Sequence, residues 1–248
     1  MLAAAAARGL AEIAFCEHVF HVVEALDAVP WLGRFRPEAA PLGHADYARA
    51  VREAAERAAL PVRLGVELDV YADDPEVDRG TVAFVEAHGA EWDVALGSVH
   101  VIAGDIDVHG PELRIGVEAA WEDYQRRIAA AARSGSYDVV THPVRLGEAL
   151  RGAPTRLAEL LDESARAAAE SGTALEVNGY DTHNRPDLVE ELIRACARHD
   201  TPISLGSDAH SPPMVGSVLA ALPMLQRAGV ERVARFERRR LELVPLAA

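Results

Sequence analysis

The chain has 248 residues, half of them hydrophobic, which is enough to bury a full core in a single domain. Its 39 acidic residues outnumber its 25 basic residues, and the formal net charge of −14 opposes binding to nucleic acid or to an anionic membrane surface. Every basic side chain other than histidine is arginine, and the absence of lysine excludes lysine-dependent chemistry.

The cysteines and the hydropathy of the chain indicate its compartment. Cys16 and Cys196 lie far apart and form no CxxC motif or disulfide framework, which is typical of a protein in a reducing environment. The Ala-rich start lacks a basic leader followed by a sustained apolar core, and no apolar run approaches the roughly 18 residues that span a bilayer. We therefore expect a soluble, cytoplasmic protein.

The predicted elements alternate between helix and strand along the chain. An opening helix over residues 2–8 ends at Gly9, a common residue at helix C-termini, and an apolar strand from Ile13 then leads to His18. Further strands are predicted over residues 62–70, 92–98, 137–141, 173–177 and 203–206. Helices are predicted over residues 46–59, 79–88, 119–134, 155–171, 188–199 and 215–228, before a charged tail.

This alternation of strands with helices of ordinary length implies βαβ units and a parallel sheet. No sequence repeat, low-complexity segment or linker divides the chain. We therefore predict one α/β domain that covers residues 1–248.

Side chains that can bind a metal recur at the ends of these strands. They are His18, Glu67, His100, His142, Asp208 and His210. A single histidine after a strand is more often a hydrogen-bonded loop residue, and a carboxylate inside an apolar strand can be paired instead of metal-bound. The recurrence at strand after strand favours a shared metal site, because the C-terminal ends of parallel strands meet at one face.

The last two of these residues indicate the kind of chemistry. Asp208 and His210 lie two residues apart where the chain leaves a strand, so both can point into one cavity. Imidazole combined with carboxylate suits Zn²⁺, Mn²⁺ or Fe²⁺ better than Mg²⁺ or Ca²⁺. Such cations lower the pKa of bound water and hold an oxyanion, so the pattern predicts a metal-dependent hydrolase.

Six sequence blocks carry these residues or the polar ends of neighbouring strands. In chain order they are GLAEIAFCEH, GVELDVY, LGSVHVI, YDVVTHP, LEVNGY and LGSDAHSP, and they lie within residues 2–216. Together they resemble the PHP (polymerase and histidinol phosphatase) family, and most of all its stand-alone histidinol-phosphatase type. The resemblance implies a distorted, TIM-like (β/α)7 barrel with up to three metals, and hydrolysis of a phosphomonoester by a metal-bound hydroxide.

The resemblance also implies a role for each metal-capable residue. Glu67 would bridge two metals, and His100 and His142 would complete the ligands of one of them. Asp208 would belong to the other bridged metal. A third metal would be held by His18 and His210.

The phosphate of the substrate would be bound by basic and polar residues near these metals. Arg145 would grip the phosphate and act with the catalytic residues Glu67, His100 and Asp208, unless it is an exposed surface arginine. Arg185 is a weaker candidate of the same kind, and Asn178 is a further candidate for substrate binding. Glu176 and Asn178 also fall where the family has a polar strand end, so we expect them to orient the metal ligands.

This chain departs from the family pattern at its start. Family members open with a strand that carries His-x-His and a further ligand, and neither precedes the helix that begins here at residue 2. The first barrel strand and three ligands are therefore missing, which implies fewer metals in this chain, although His21 could replace one ligand. A start codon placed too far downstream is our preferred explanation, and a fragment or a natural variant are the alternatives. The exposed sheet edge would lower stability or favour a homo-oligomer.

Three functions are compatible with these observations. The first is a phosphatase of small phosphorylated substrates, with histidinol phosphate of histidine biosynthesis as the leading substrate on the resemblance alone. The second is a broad phosphoesterase of nucleotides or another metal-dependent hydrolase, although an amidohydrolase would usually need a modified lysine. The third is a catalytically impaired PHP remnant without its His-x-His ligands.

Overall fold

The structure, a computed structural model, describes residues 1–28, 42–71, 75–103, 106–108, 114–150 and 152–246. Its strands are β1 (Ile13–His18), β2 (Val62–Asp69), β3 (Val94–Ser98), β4 (Val101–Ile102), β5 (Ile106–Asp107), β6 (Val139–Val140), β7 (Ala174–Asn178), β8 (Ile203–Gly206), β9 (Arg232–Glu237) and β10 (Arg240–Pro245). Its α-helices are α1 (Leu2–Ala7), α2 (Val23–Ala28), α3 (His44–Ala55), α4 (Pro75–His88), α5 (Val117–Ser134), α6 (Leu146–Ala149), α7 (Leu157–Ser171), α8 (Gly179–Asn184), α9 (Pro186–Arg198) and α10 (Leu222–Arg227).

Most of the strands form one sheet. Among the described residues it has eight strands in the order β1-β2-β3-β6-β7-β8-β9-β10. Every pair in it is parallel except β9 with β10, which form an antiparallel hairpin. β4 and β5 pair separately as a small antiparallel ribbon. The predicted α/β class with a mostly parallel sheet is confirmed.

Helices cover the sheet because each has one apolar face. In α9 the residues Leu188, Leu192 and Cys196 recur every four positions and are all buried. This helix begins with Pro186 in its first turn, where no intrahelical N–H bond is lost. α5 ends at Gly135, whose φ of +67° provides the left-handed C-terminal turn. Within the described part of the chain, no helix is long and apolar enough to cross a membrane.

Several side-chain contacts link the early strands of the sheet to its last strands. Residues of β3, β6, β7 and β9 form a small apolar cluster. Cys16 on β1 and Leu243 on β10 both pack against this cluster. Arg63 on β2 also forms an ion pair of 3.2 Å with Glu237 on β9. These contacts join strands that are far apart in the order of the sheet.

The prediction of a charged tail after the last helix was wrong. Residues 232–245 form β9 and β10, and β9 pairs with β8 through Ser204 and Ala234. Val233, Ala234 and Phe236 are buried although arginine and glutamate residues lie among them in the sequence. The charged residues concealed the strand pattern, because only part of each strand faces the core.

The last predicted helix, over residues 215–228, is shorter and is divided. A 3₁₀ segment (Ser217–Ala221) precedes α10, which has Pro223 in its first turn. Proline has no backbone N–H and cannot continue an existing α-helix, but it fits the first turn of a new one. The other predicted helices and strands are present with ends that shift by a few residues, and the strand over residues 203–206 coincides with β8.

Candidate metal centre

The predicted metal ligands are carried by the C-terminal ends of neighbouring parallel strands. His18 is the last residue of β1 and stands in register with Glu67 of β2. His100 follows the end of β3 by two residues, and His142 follows β6 by two. Asp208 comes two residues after β8. Parallel strands place all these residues at one edge of the sheet.

Glu67 lies at the centre of this group. Its Oε1 is 3.4 Å from His100 Nε2 and 3.7 Å from His142 Nε2. Its Oε2 is 3.7 Å from His18 Nδ1. Ser98 donates its hydroxyl to Oε1 at 2.6 Å and so fixes the orientation of the carboxylate. The ligand atoms of His18, Glu67 and His100 all lie within 4.8 Å of one another.

His100 is oriented from behind by a residue that the sequence analysis did not select. Its Nδ1 contacts Asp69 Oδ1 at 2.6 Å, and Nε2 then faces Glu67. Asp69 is 4% exposed and lies two residues after Glu67 on β2, so both side chains point to the same face of the sheet. That spacing of two acidic residues within an apolar strand was the signal that could have identified it.

His142 is held in place by its backbone. Its φ of +36° is unusual for a residue with a side chain, which turns the chain sharply after β6. The backbone N–H of His142 donates to Glu176 Oε2 at 2.8 Å, and the Tyr124 hydroxyl donates to its carbonyl at 2.8 Å. These two bonds fix a buried imidazole against Glu67.

Glu176 and Asn178 lie behind this imidazole. Asn178 donates to Glu176 Oε2 at 3.0 Å and accepts the backbone N–H of Tyr180 at 2.8 Å, which caps α8. Asn178 is buried and both ends of its amide are engaged within the protein, so it supports Glu176 and α8, and its contact with the substrate stays a prediction. The position of Glu176 agrees with the expectation that it orients a ligand.

Arg145 is buried, so it is not the exposed surface arginine that was the alternative. Its Nε donates to Asp181 Oδ1 at 2.5 Å, and its Nη2 donates to Asp208 Oδ2 at 2.7 Å. The Tyr180 ring lies against the guanidinium, with its centroid 4.8 Å from Cζ. Asp208, which has a φ of +50°, therefore lies at the strand ends and is held there by Arg145.

Arg185 and His210 lie further from the Glu67 carboxylate than the side chains described above. Arg185 pairs with Asp187 at 2.8 Å and donates to the Gly147 carbonyl. It lines a shallow pocket to which none of the predicted metal ligands contributes. The His210 side chain is 70% exposed, its Nδ1 is 3.2 Å from the Asp208 carbonyl oxygen, and its ring centroid is 6.3 Å from that of His18. It lies at the rim of the group.

Burial and the neighbouring charges shift the pKa values of Glu67, His100 and His142. Burial opposes ionisation of Glu67, but the imidazoles of His18, His100 and His142 hold its pKa well below the usual range. Burial likewise opposes protonation of His100, yet its bonds to Asp69 and Glu67 raise its pKa to about 10. Burial, assisted by the charge of Arg145, lowers the pKa of His142 to about 4.

These side chains fit a divalent metal. His18 Nδ1 and Asp69 Oδ2 are buried and have no hydrogen-bond partner among the described residues. Three imidazole nitrogens stand 3.4–3.7 Å from one carboxylate, which is too far for strong hydrogen bonds. Ligand atoms around one tetrahedral ion with bonds of about 2.1 Å are spaced by about 3.4 Å. The group therefore has the composition and spacing of a metal centre.

A parallel α/β sheet with clustered imidazoles and carboxylates at its C-terminal edge defines the class of the protein. Residues 1–179 match the PHP domain, which is more than half of the chain. The chain belongs to the PHP family. The resemblance that the six sequence blocks indicated is confirmed.

Two relatives are similar over different lengths of the chain. A probable histidinol-phosphatase from Deinococcus radiodurans is 32% identical over 252 aligned residues, which cover 94% of this chain and 88% of that protein. A probable phosphatase from Syntrophotalea carbinolica is 41% identical over 70 residues, which cover 27% of this chain and 29% of that protein. A chain of an archaeal ribonuclease P bound to mature tRNA superposes with a TM-score of 0.45 at 14% identity, covering 88% of this chain and 87% of its own, a likeness too weak to assign fold or function.

Proposed function

We propose that this protein is a metal-dependent phosphoesterase that hydrolyses small phosphomonoesters, with histidinol phosphate as its leading substrate. The observation that carries the proposal is the convergence of His18, His100 and His142 on Glu67 in a chain of the PHP family. Support for the substrate comes from the D. radiodurans relative, which is named a probable histidinol-phosphatase and aligns with nearly the whole chain.

The central group would hold one or more divalent cations. His18, Glu67, His100 and His142 would be ligands, and a mixture of imidazole and carboxylate favours Zn²⁺, Mn²⁺ or Fe²⁺. Such cations would make a water molecule more acidic and would neutralise part of the negative charge of the phosphate. Asp69 and Ser98 keep the ligand atoms of His100 and Glu67 directed inward. Asp208 and His210 remain our proposed ligands at the rim.

Arg145 would contribute positive charge beside the substrate phosphate. Two of its nitrogens are engaged by Asp181 and Asp208, so a direct contact with phosphate requires one of these carboxylates to be displaced. Because Asp181 and Asp208 offset the charge of Arg145, the bound cations would supply most of the attraction for an anionic group in a chain whose formal net charge is −14. A small anionic substrate is therefore a better partner than nucleic acid or a membrane. The free thiols Cys16 and Cys196 support our proposal of a cytoplasmic location.

We further propose that the sheet is the wall of a distorted (β/α)7 barrel. The Arg63–Glu237 ion pair between β2 and β9, and the apolar cluster against which both Cys16 of β1 and Leu243 of β10 pack, support this proposal. Among the described residues, β1 pairs with β2 alone, and the additional strand implied by the family resemblance would pair with its other edge.

An assay on metal-loaded protein tests this function. The purified chain is loaded with Mn²⁺, Zn²⁺ or Fe²⁺, its metal content is measured, and it is given histidinol phosphate, p-nitrophenyl phosphate or a nucleoside monophosphate. We expect hydrolysis that a chelator abolishes, with the highest kcat/KM for histidinol phosphate. A higher kcat/KM for the nucleotide would indicate a broad phosphoesterase.

His100→Ala should lose metal and hydrolysis together, whereas His199→Ala, a histidine that pairs with Asp162 at 2.9 Å elsewhere on the surface, should lose neither. Absence of hydrolysis at full metal load would overturn the proposal and indicate a catalytically impaired PHP protein.

A further inference from the structure

A second group of metal-capable side chains lies outside the strand-end site. It consists of His44, the first residue of α3, His88, the last residue of α4, and Glu91, which precedes β3. One ligand atom from each lies within 4.8 Å of the others. The group shares no residue with the site around Glu67.

His44 has a buried imidazole without a hydrogen bond. The residue is 4% exposed, and neither ring nitrogen has a hydrogen-bond partner among the described residues. Its ring packs against Trp92 and His88, with centroid distances of 4.7 Å and 4.3 Å. Packing on aromatic rings explains why the carbon atoms are buried, but Nδ1 has no polar partner among the described residues and Nε2 has only a 3.4 Å contact with Glu91, which is unfavourable for a buried imidazole. A ligand for one of those nitrogens would remove that cost.

The neighbouring carboxylate is placed to share such a ligand. Glu91 Oε1 is 3.4 Å from His44 Nε2, which equals the spacing of about 3.4 Å between two ligand atoms of a tetrahedral zinc ion. Arg52 donates to the other oxygen, Oε2, at 3.1 Å and so turns Oε1 toward the histidine. Such outer hydrogen bonds commonly orient metal-bound carboxylates.

The surroundings of His44 add negative charge and rigidity. Glu24 accepts the His44 backbone N–H at 2.9 Å and places a second carboxylate next to the group. Tyr47, one turn further along α3, donates its hydroxyl to the Phe15 carbonyl at 2.8 Å. A cation bound by His44 would therefore fasten α3, α4 and the approach to β3 to one another, and through Tyr47 it would support the strand that carries His18.

We propose that His44, His88 and Glu91 bind one divalent cation of the zinc type, which has a structural role. His88 is partly exposed and the Glu91 side chain is 42% exposed, so a cation can reach the group from solvent. The buried His44 nitrogen completes the site from the core side. Two imidazoles and one carboxylate suit Zn²⁺ or Co²⁺ better than Mg²⁺ or Ca²⁺.

Metal counting on the full chain tests this proposal without any measurement of activity. The protein is stripped with a chelator, reloaded with Zn²⁺, freed of excess by gel filtration and analysed for zinc per chain. We expect His88→Gln and Glu91→Gln each to retain one zinc fewer than the wild type. The control His199→Gln, which also removes a partly exposed histidine at a helix end, should retain the wild-type number.

Cobalt provides a second readout of the same site. The visible absorption typical of tetrahedral Co²⁺ should fall in His88→Gln and Glu91→Gln and should persist in His199→Gln. Equal zinc content in the wild type and in both variants would overturn the proposal. If circular dichroism shows that His88→Gln is unfolded, Glu91→Gln decides, because removal of a half-exposed carboxylate leaves the core intact. If the wild type shows no phosphatase activity, only the proposed function is refuted, because the zinc count does not depend on that activity.

Discussion

Asp69 and His100 form a 2.6 Å hydrogen bond in which the Asp69 carboxylate accepts from Nδ1 of the imidazole and leaves Nε2 directed at Glu67. This contact fixes the orientation of the histidine before any metal arrives and keeps a proton on Nδ1, so that Nε2 is the nitrogen left to bind a metal. Histidines that bind metals are commonly held in this way by a carboxylate, and the partner contributes to the affinity for the metal.

Asp69→Asn should therefore weaken metal binding at the strand ends. The amide oxygen can still accept a hydrogen bond from His100 Nδ1, but it carries no negative charge. We therefore expect about a 10- to 100-fold loss of affinity for the metal. Titration with Zn²⁺ against a competing chelator measures this loss. Asp46→Asn, which removes an exposed carboxylate paired with Arg49, is the matched control. Equal affinities of Asp69→Asn and the wild type would show that this contact does not support the metal.

Metal binding at this site should release a proton from His100. Asp69 and Glu67 raise the pKa of His100 to about 10, so the metal-free imidazole is protonated at pH 7.5 and must lose a proton to become a ligand. The apparent affinity should rise by about tenfold per pH unit from pH 7 to pH 9, and the gain should end above the pKa. Calorimetry in two buffers of different ionisation enthalpy measures the protons released. Binding without proton release at pH 7.5 would contradict this account.

Removal of Arg145 should destabilise the fold. Arg145→Met leaves Asp181 and Asp208 without their shared cation, and Asp181 is 3% exposed, so we expect a loss of about 3–5 kcal/mol in the free energy of unfolding at pH 8. Urea denaturation of metal-free protein measures it. Arg166→Met, which breaks an exposed pair with Glu170, should cost about 0.5 kcal/mol or less. Similar losses of unfolding free energy in the two variants would mean that the buried ion pairs of Arg145 stabilise the fold no more than an exposed ion pair does.

Glu176 should make the stability of the metal-free protein depend on pH. Burial, with the nearby charges of Asp208 and Glu67, raises its pKa to about 7 from an ordinary value of 4.5. A raised carboxyl pKa means that stability is fully present below pH 4.5 and is lost as the pH rises through 7. Glu176→Gln, which cannot ionise, should therefore be as stable as the wild type at pH 4.5 and more stable at pH 8, by on the order of 3 kcal/mol. Urea denaturation at both pH values tests this, and a difference that is the same at both would refute the assignment.

The sequence predicted the parts of the fold and site that depend on local pattern. Alternating helices and strands gave the parallel sheet, and polar residues at strand ends gave His18, Glu67 and His100 as a cluster. It could not predict that Arg145 would be buried between Asp181 and Asp208, because those residues meet only through the tertiary fold.

Other features were missed for related reasons. Asp69 was not selected as part of the site, since its role depends on a contact with a histidine 31 positions away. The hairpin of β9 and β10 was missed, since its charged residues resemble those of a surface tail.

Anomalous diffraction from crystals loaded with Mn²⁺ or Zn²⁺ tests the central claim most directly. We expect a peak between Glu67 and the facing nitrogens of His18, His100 and His142, within about 2.0–2.3 Å of a Glu67 oxygen and an imidazole nitrogen. A fully loaded crystal with no anomalous peak among these four side chains would contradict this claim.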